Sequence, residues 1–367
     1  MNRIILYLKN FDWVLFSAVL LLLCFSLVEI YSIALGRGTA DLLNFKKQVV
    51  FVILGIICLF IFVFLDYNFL KKASKYLYLL ALATLGAVLL FGHNIRGTRS
   101  WFTVNIFSLQ PVEFVKIILL IFLAYFFSSR AIKIRSFKEF FFSGLLSLPL
   151  ILLTFFQPDF GSSMILFLIW LLMLAIAGFN KKYFIVLTFI ILVGSISLWN
   201  FSFLDYQKQR ILTFINPQSD NLGSGYNAIQ TMITVGSGKL IGRGVGFGSQ
   251  SQLKFLPEAQ NDFIMAVICE ELGFLGAAMV FLFYSIFFYR CFAVMRKINN
   301  DFGVFFVLGV VGLIFIEMFI NISMNIGILP IVGISLPFLS YGGSSIISSL
   351  IMVGIIENII IKSKINY

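Results

Sequence analysis

Residues 13–34 read WVLFSAVLLLLCFSLVEIYSIA, 22 positions with one charged side chain, Glu29. A run this long and this apolar crosses the ~30 Å hydrocarbon layer as a helix rising about 1.5 Å per residue. Similar runs recur near 48–65, 76–92, 112–129, 140–156, 160–179, 183–200, 263–289, 302–326 and 340–361, which predicts ten spans. Composition agrees: 60% of the 367 residues are apolar, 12% are charged and mean hydropathy is +1.02, where soluble domains run at about 45–50% and about 25%. A soluble enzyme, a secreted disulfide scaffold and a disordered chain are excluded. The expectation is an all-α polytopic membrane protein, one domain over 1–367, with about ten transmembrane helices and a large extracytoplasmic loop, 201–262, between helices 7 and 8. MNRIILYLKN is too weakly set off to be a cleaved signal, so the first span is read as retained.

The net charge of +11 reports orientation rather than nucleic acid. With the N-terminus inside, sixteen of the 27 Lys and Arg residues fall in cytoplasmic segments and five in short outer loops, the bias that sets topology. Both termini are therefore expected in the cytoplasm and the 201–262 loop outside. Cys24, Cys58, Cys269 and Cys291 have no metal or disulfide spacing and read as buried free thiols. His93 is the single histidine, which excludes multi-histidine metal sites and leaves proton transfer to carboxylates, Lys or Tyr.

The 201–262 segment is where composition changes, and long connections of this kind are lids, binding loops or re-entrant elements. Its stretch GYNAIQTMITVGSGK reads as a short amphipathic helix resting on the outer interface. VGSGKLIGRGVGFG (235–248) is not a P-loop, because Ile233 and Leu240 occupy the positions of the required Gly and Ser/Thr. It reads as a tightly turned loop or as a backbone cradle for a diphosphate, aided by Lys239 and Arg243.

Acidic residues at membrane depth are expensive and default to functional candidates. In SLQPVEFVKI, Glu113 suits the first turn after Pro111, and Lys116, three residues on, shares its face and needs a partner. In QPDFGSS, Asp159 is either the cap of the next span or a partner for Lys116 across a cavity mouth. In LPEAQNDFIMAVICEELG, Asp262 is either a plain cap or a carboxylate base at the membrane's outer edge, while Glu270 and Glu271 read as structural. NIRGTRSWF offers Arg99 and Trp101 as an interfacial anchor or a contact for an anionic head group. Asp12, Asp66, Glu139, Asp301 and Glu357 sit at cytoplasmic ends, where solvated or capping roles suffice. ILPIVGISLPFLSYGGSS (328–345) predicts irregular backbone lining a cavity.

SLQPVEFVKI, QPDFGSS, NPQSDNLGSGYNAIQ, the 233–273 segment and GISLPFLSYGGSS, in this order, resemble the SEDS family of RodA and FtsW over essentially the whole chain. FDWVLF and the lack of long cytoplasmic extensions look more like its rod-elongation branch than its division branch. The resemblance implies a peptidoglycan glycosyltransferase of the bacterial cytoplasmic (inner) membrane. Such an enzyme polymerises lipid II into glycan strands with release of polyprenyl diphosphate, beside a class B penicillin-binding protein and the elongation machinery. It implies Asp262 as the essential acid, Glu113 and Lys116 as the family's buried Glu and Lys, and Asp159 as the acid of its Gln-Pro-Asp motif. Glu258, Arg99, Trp101, Arg210, Lys239 and Ser340 complete the candidate cavity. The sequence departs from the family at Val112, Phe160, Gln260 and Asn261, and the last two remove a loop histidine.

Inverting an α-linked sugar diphosphate to a β-1,4 link needs one displacement and one base, for which Asp262 would take the acceptor's 4-hydroxyl proton. Charge on the leaving diphosphate calls for cations: Lys116, Arg99, Arg210, Lys239, or a divalent ion (Mg or Mn), with no cofactor required by the sequence. The competing expectations are a lipid II flippase, a division-type polymerase, and a non-catalytic activator of the penicillin-binding protein.

Overall fold

The computed structural model describes residues 3–37, 42–95, 97–104, 107–130, 136–189, 212–219 and 223–365. Its helices are α1 (Arg3–Asn10), α2 (Trp13–Arg37), α3 (Leu42–Phe64), α4 (Tyr67–Phe91), α5 (Pro111–Ser128), α6 (Phe137–Phe156), α7 (Phe160–Ile176), α8 (Ser224–Ser237), α9 (Ser249–Gln252), α10 (Ile264–Met295), α11 (Asp301–Asn325) and α12 (Gly343–Ile365). Among the described residues eight of these are long and apolar enough to cross a membrane, and α7 is a shorter apolar helix. Nine of the ten expected spans are thus present as helices. The remaining one, 183–200, starts as helix at 181–189 and otherwise lies outside the described residues.

Local chemistry sets the helix starts. Asp66, Ser136 and Asn300 each accept a first-turn amide, from Asn68 (2.8 Å), Glu139 (3.4 Å) and Phe302 (3.1 Å). Pro111 opens α5 at the position where its missing N–H costs nothing. Helices α12 and α5 form the centre, with 89% and 78% of their spanning windows buried, while α4 and α6 are peripheral and present large apolar side chains outward. Small residues let α12 lie close to α3: a Cβ on Gly354 would meet the Leu59 carbonyl at 2.5 Å.

At the end bearing both termini Asp66 and Asp12 cap helices, as expected, accepting the amides of Asn68 (2.8 Å) and Leu15 (3.2 Å), but Asp12 and Glu357 are buried rather than solvated. Asp12, 2% exposed, takes a bidentate contact from Arg290 (3.1 and 2.6 Å). The fully buried Glu357 accepts the Asp12 amide at 3.0 Å. The junction between α1 and α2 leaves first-turn amides free, and these carboxylates accept those of Asp12 and Leu15. The four cysteines are free, as expected, but Cys24 is exposed on the bundle surface.

Two elements depart from the expected reading. Three short strands, β1 (His93–Ile95), β2 (Thr98–Val104) and β3 (Phe107–Leu109), pair antiparallel in the order β1-β2-β3. The pairing places Trp101 opposite His93, and Arg99 donates its amide to the Gln157 carbonyl at 3.1 Å. The helix expected on the outer interface, α8, instead packs along α10 with Thr231 and Thr234 fully buried.

Candidate functional site

The irregular backbone before α10 and α12 meets at the end of the bundle opposite the termini. Three consecutive carbonyls there are each held by a different donor. Gln260 accepts the Tyr341 amide (2.8 Å), Asn261 accepts the Ser340 hydroxyl (2.6 Å), and Asp262 accepts Nδ2 of both Asn321 and Asn325 (3.0 Å each). Ser340 also accepts the Leu336 amide at 2.8 Å, and Asn321 donates to the Ile334 carbonyl at 2.7 Å. Non-helical backbone buried in a membrane protein must be satisfied in this way. The consequence is that the main chain of Asp262 is fixed while its carboxylate stays half-exposed. Gly333, at φ 74°, brings the preceding loop over that carboxylate, with a Cβ position 3.7 Å from Oδ2.

Beneath this rim Lys116 is buried between two carboxylates, Glu113 at 2.8 Å and Glu317 at 2.7 Å. The expected Glu113–Lys116 pair is present. Its third member is Glu317 of α11 rather than Asp159. Asp159 instead caps α7, accepting the Ser162 amide (3.0 Å) and hydroxyl (2.8 Å), and it also holds Gln110 Nε2 at 3.1 Å. Burial raises the Tyr341 hydroxyl above its usual value, so this neighbouring phenol stays protonated.

One face of α11 thus links the ion cluster to Asp262: Glu317, Asn321 and Asn325 recur every four residues. The sequence reading missed both asparagines and the role of Glu317. The signal was there, a polar stripe at helical spacing inside an apolar span.

The sequence profile of the family described as "Cell cycle protein", covering FtsW, RodA and SpoVE, matches residues 12–365. The chain belongs to this SEDS family. It is 35% identical to stage V sporulation protein E of Bacillus subtilis over 95% of this chain and 96% of that one. To peptidoglycan glycosyltransferase MrdB of Escherichia coli K12 it is 33% identical, over 95% and 93%. Among solved structures it resembles a chain of a peptidoglycan synthase complex that coordinates polymerization and crosslinking (TM-score 0.81, 27% identity, 97% and 98% covered). It also resembles the rod shape-determining protein RodA of Thermus thermophilus (TM-score 0.71, 25% identity, 95% and 96% covered).

In this SEDS protein the glycine-rich segment is a docking strip rather than a phosphate cradle. Gly273 (φ 67°, ψ −160°) breaks α10, and the strip fills the break. The amides of Arg243 and Gly244 donate to the carbonyls of Glu270 (3.0 Å) and Glu271 (2.9 Å), and the amides of Phe274 and Leu275 donate back to Lys239 (2.9 Å) and Leu240 (3.2 Å). Backbone approaches so closely that a Cβ on Gly242 would stand 2.2 Å from the Glu271 carbonyl oxygen. Glu270 and Glu271 are structural, as expected. Glu270 accepts the amides of Gln250 (2.8 Å) and Ser251 (3.1 Å), and Glu271 accepts the Ser32 hydroxyl at 2.6 Å.

Lys239 therefore belongs to the break, eleven residues along α10 from Asp262, on the order of 16 Å at ~1.5 Å per residue. That corrects its assignment to the cavity. Glu258 closes a turn, accepting the Asn261 amide on its carbonyl at 3.0 Å. Ser340 staples the loop beside Asp262, and Arg210 lies outside the described residues. Arg99 is exposed and, with His93, Asn94 and Pro158, lines an open groove of about 820 Å³. Among the described residues no group of three or more His, Cys, Asp or Glu side chains is arranged to hold a metal ion.

Proposed function

We propose that this SEDS protein is a peptidoglycan glycosyltransferase that polymerises lipid II on the outer face of the cytoplasmic membrane. The observation that carries the reading is the triple carbonyl clamp on residues 260–262, which fixes the main chain of a half-exposed carboxylate at the bundle rim. A general base must be held still and within reach of the proton it removes. Asp262 takes the proton of the acceptor's 4-hydroxyl, the oxygen attacks C1 of the donor sugar from the face opposite the diphosphate, and the C1–O bond to polyprenyl diphosphate breaks with inversion.

Lys116 is neutralised by Glu113 and Glu317, so it braces α5 against α11 and does not receive the diphosphate. Among the described candidates, Arg99, exposed and without an ion pair among the described residues, is assigned to receive it, with Arg210 outside those residues. An outward rim suits a lipid-linked sugar whose tail stays in the outer leaflet. We further propose an elongation role beside a class B penicillin-binding protein.

The test is strand formation from lipid II in detergent by the protein co-purified with that partner, in the presence of moenomycin. Strands made without a membrane gradient support the polymerase; lipid II movement in proteoliposomes that needs a proton gradient, with no strands, supports a flippase. Depletion giving round cells supports elongation, and filaments support division.

A further inference from the structure

At the end bearing both termini, α4 opens with Lys71, Lys72 and Lys75. These three, with Tyr76, Leu79 and Tyr125, line an open groove of about 900 Å³. The groove's single carboxylate, Asp66, is already in contact with Lys362. Lys72 and Lys75 are exposed, Lys71 stands 5.9 Å from the Phe302 ring, and among the described residues none of the three pairs with a carboxylate. Topology alone asks only for lysines somewhere on this side; it does not ask for three unpaired ones in the wall of one concavity.

The same face changes character with depth. Asn68, Lys72, Tyr76 and Leu79 follow at steps of four, four and three, so they share one side of α4. In order they are polar, cationic, interfacial aromatic and apolar. Tyr76 is 76% exposed and Leu79 is 60% exposed on a helix at the bundle's periphery, so this face meets lipid. A phospholipid has the same order: phosphate, glycerol region, acyl chain. Basic concavities at the cytoplasmic membrane surface suit anionic head groups.

We propose that this groove binds the headgroup phosphate of an anionic phospholipid, with the acyl chains running along Tyr76 and Leu79. Both ends of the lipid are recognised, so a free phosphate lacks half of the contact. Each lysine near an anionic surface contributes roughly a fivefold gain in affinity.

The experiment is native mass spectrometry of the full chain in detergent, offered phosphatidylglycerol or phosphatidylcholine with the same acyl chains. Phosphatidylglycerol is expected to bind at least about tenfold more tightly. Lys71→Gln/Lys72→Gln/Lys75→Gln removes that preference. Lys72→Gln/Lys75→Gln, confined to two exposed side chains and therefore safe for folding, lowers it several-fold. Lys181→Gln/Lys182→Gln, which removes exposed charge after α7, leaves it unchanged. Equal binding of the two lipids, an equal loss in the Lys181/Lys182 variant, or full binding by the folded double variant overturns the proposal. Displacement of the lipid by millimolar inorganic phosphate would make the site one for free phosphate and overturn it as well.

Discussion

Glu317 and Asn321 stand one turn apart on the same face of α11, the first holding Lys116 at 2.7 Å and the second holding the Asp262 carbonyl at 3.0 Å. A single rigid helix thus connects the buried charge cluster to the residue assigned as base, and a shift of α11 would move both.

Removing Lys116 leaves two carboxylates facing each other in the core. Lys116→Ala is expected to cost about 3–5 kcal/mol, read as a lowered Tm of the detergent-solubilised protein. Glu317→Gln keeps a hydrogen-bond partner and is expected to cost less than half as much. Equal Tm values for wild type and Lys116→Ala would show that the cluster does not brace the bundle.

The asparagines are predicted to act on turnover. Asn325→Ala strips one donor from the Asp262 carbonyl and one acceptor from the Ala266 amide, and each buried group left unpaired costs about 1–3 kcal/mol. Asn321→Ala and Asn325→Ala should fold with a reduced Tm and lower kcat for strand formation by at least about tenfold, with KM little changed. A wild-type kcat in a folded Asn321→Ala protein would separate the clamp from catalysis.

These residues also mark where sequence reasoning stopped. The spans were legible because hydropathy over about 20 residues is a local property, and the Glu113–Lys116 pair because three residues on a helix are neighbours. Glu317 and the asparagines act across 200 and 60 positions of chain, and only packing brings them to Lys116 and Asp262. The glycines of 235–248 were legible as a tight turn, but not what the turn docks against. Their spacing answers to the backbone of α10 at Gly273, and a loop's composition does not tell a ligand's approach from that of another chain segment. The helix α8 was recognised by its amphipathic pattern and misplaced, since an amphipathic face fits a neighbouring helix as well as a membrane surface.

Docking of the glycine strip predicts that Gly273→Ala fails sharply. The residue sits at positive φ and its Cβ would lie 2.3 Å from the Gly242 nitrogen. The strip should lift off α10, seen as new proteolytic cleavage between 238 and 248. Gly236→Ala, with open space around its Cβ, serves as the control and should stay resistant. Matching protease patterns for the two variants would contradict the docking.

Glu29 is fully buried, with its carboxyl set against that of Glu271. Replacing a buried carboxyl that faces a second carboxyl by an apolar side chain of similar volume removes its desolvation cost and the like-charge contact. Glu29→Met is therefore expected to raise Tm, by the equivalent of about 1–3 kcal/mol. A lowered Tm would mean that the carboxyl is structurally used.

The most direct measurement is the rate of glycan-strand formation from lipid II by Asp262→Asn, compared with wild type at matched Tm and matched lipid II binding. The substitution keeps the clamped carbonyl and the side-chain shape and removes only the base. No strands from the variant, with lipid II still bound, is the predicted result; strands at the wild-type rate would contradict the assignment of Asp262 as the base.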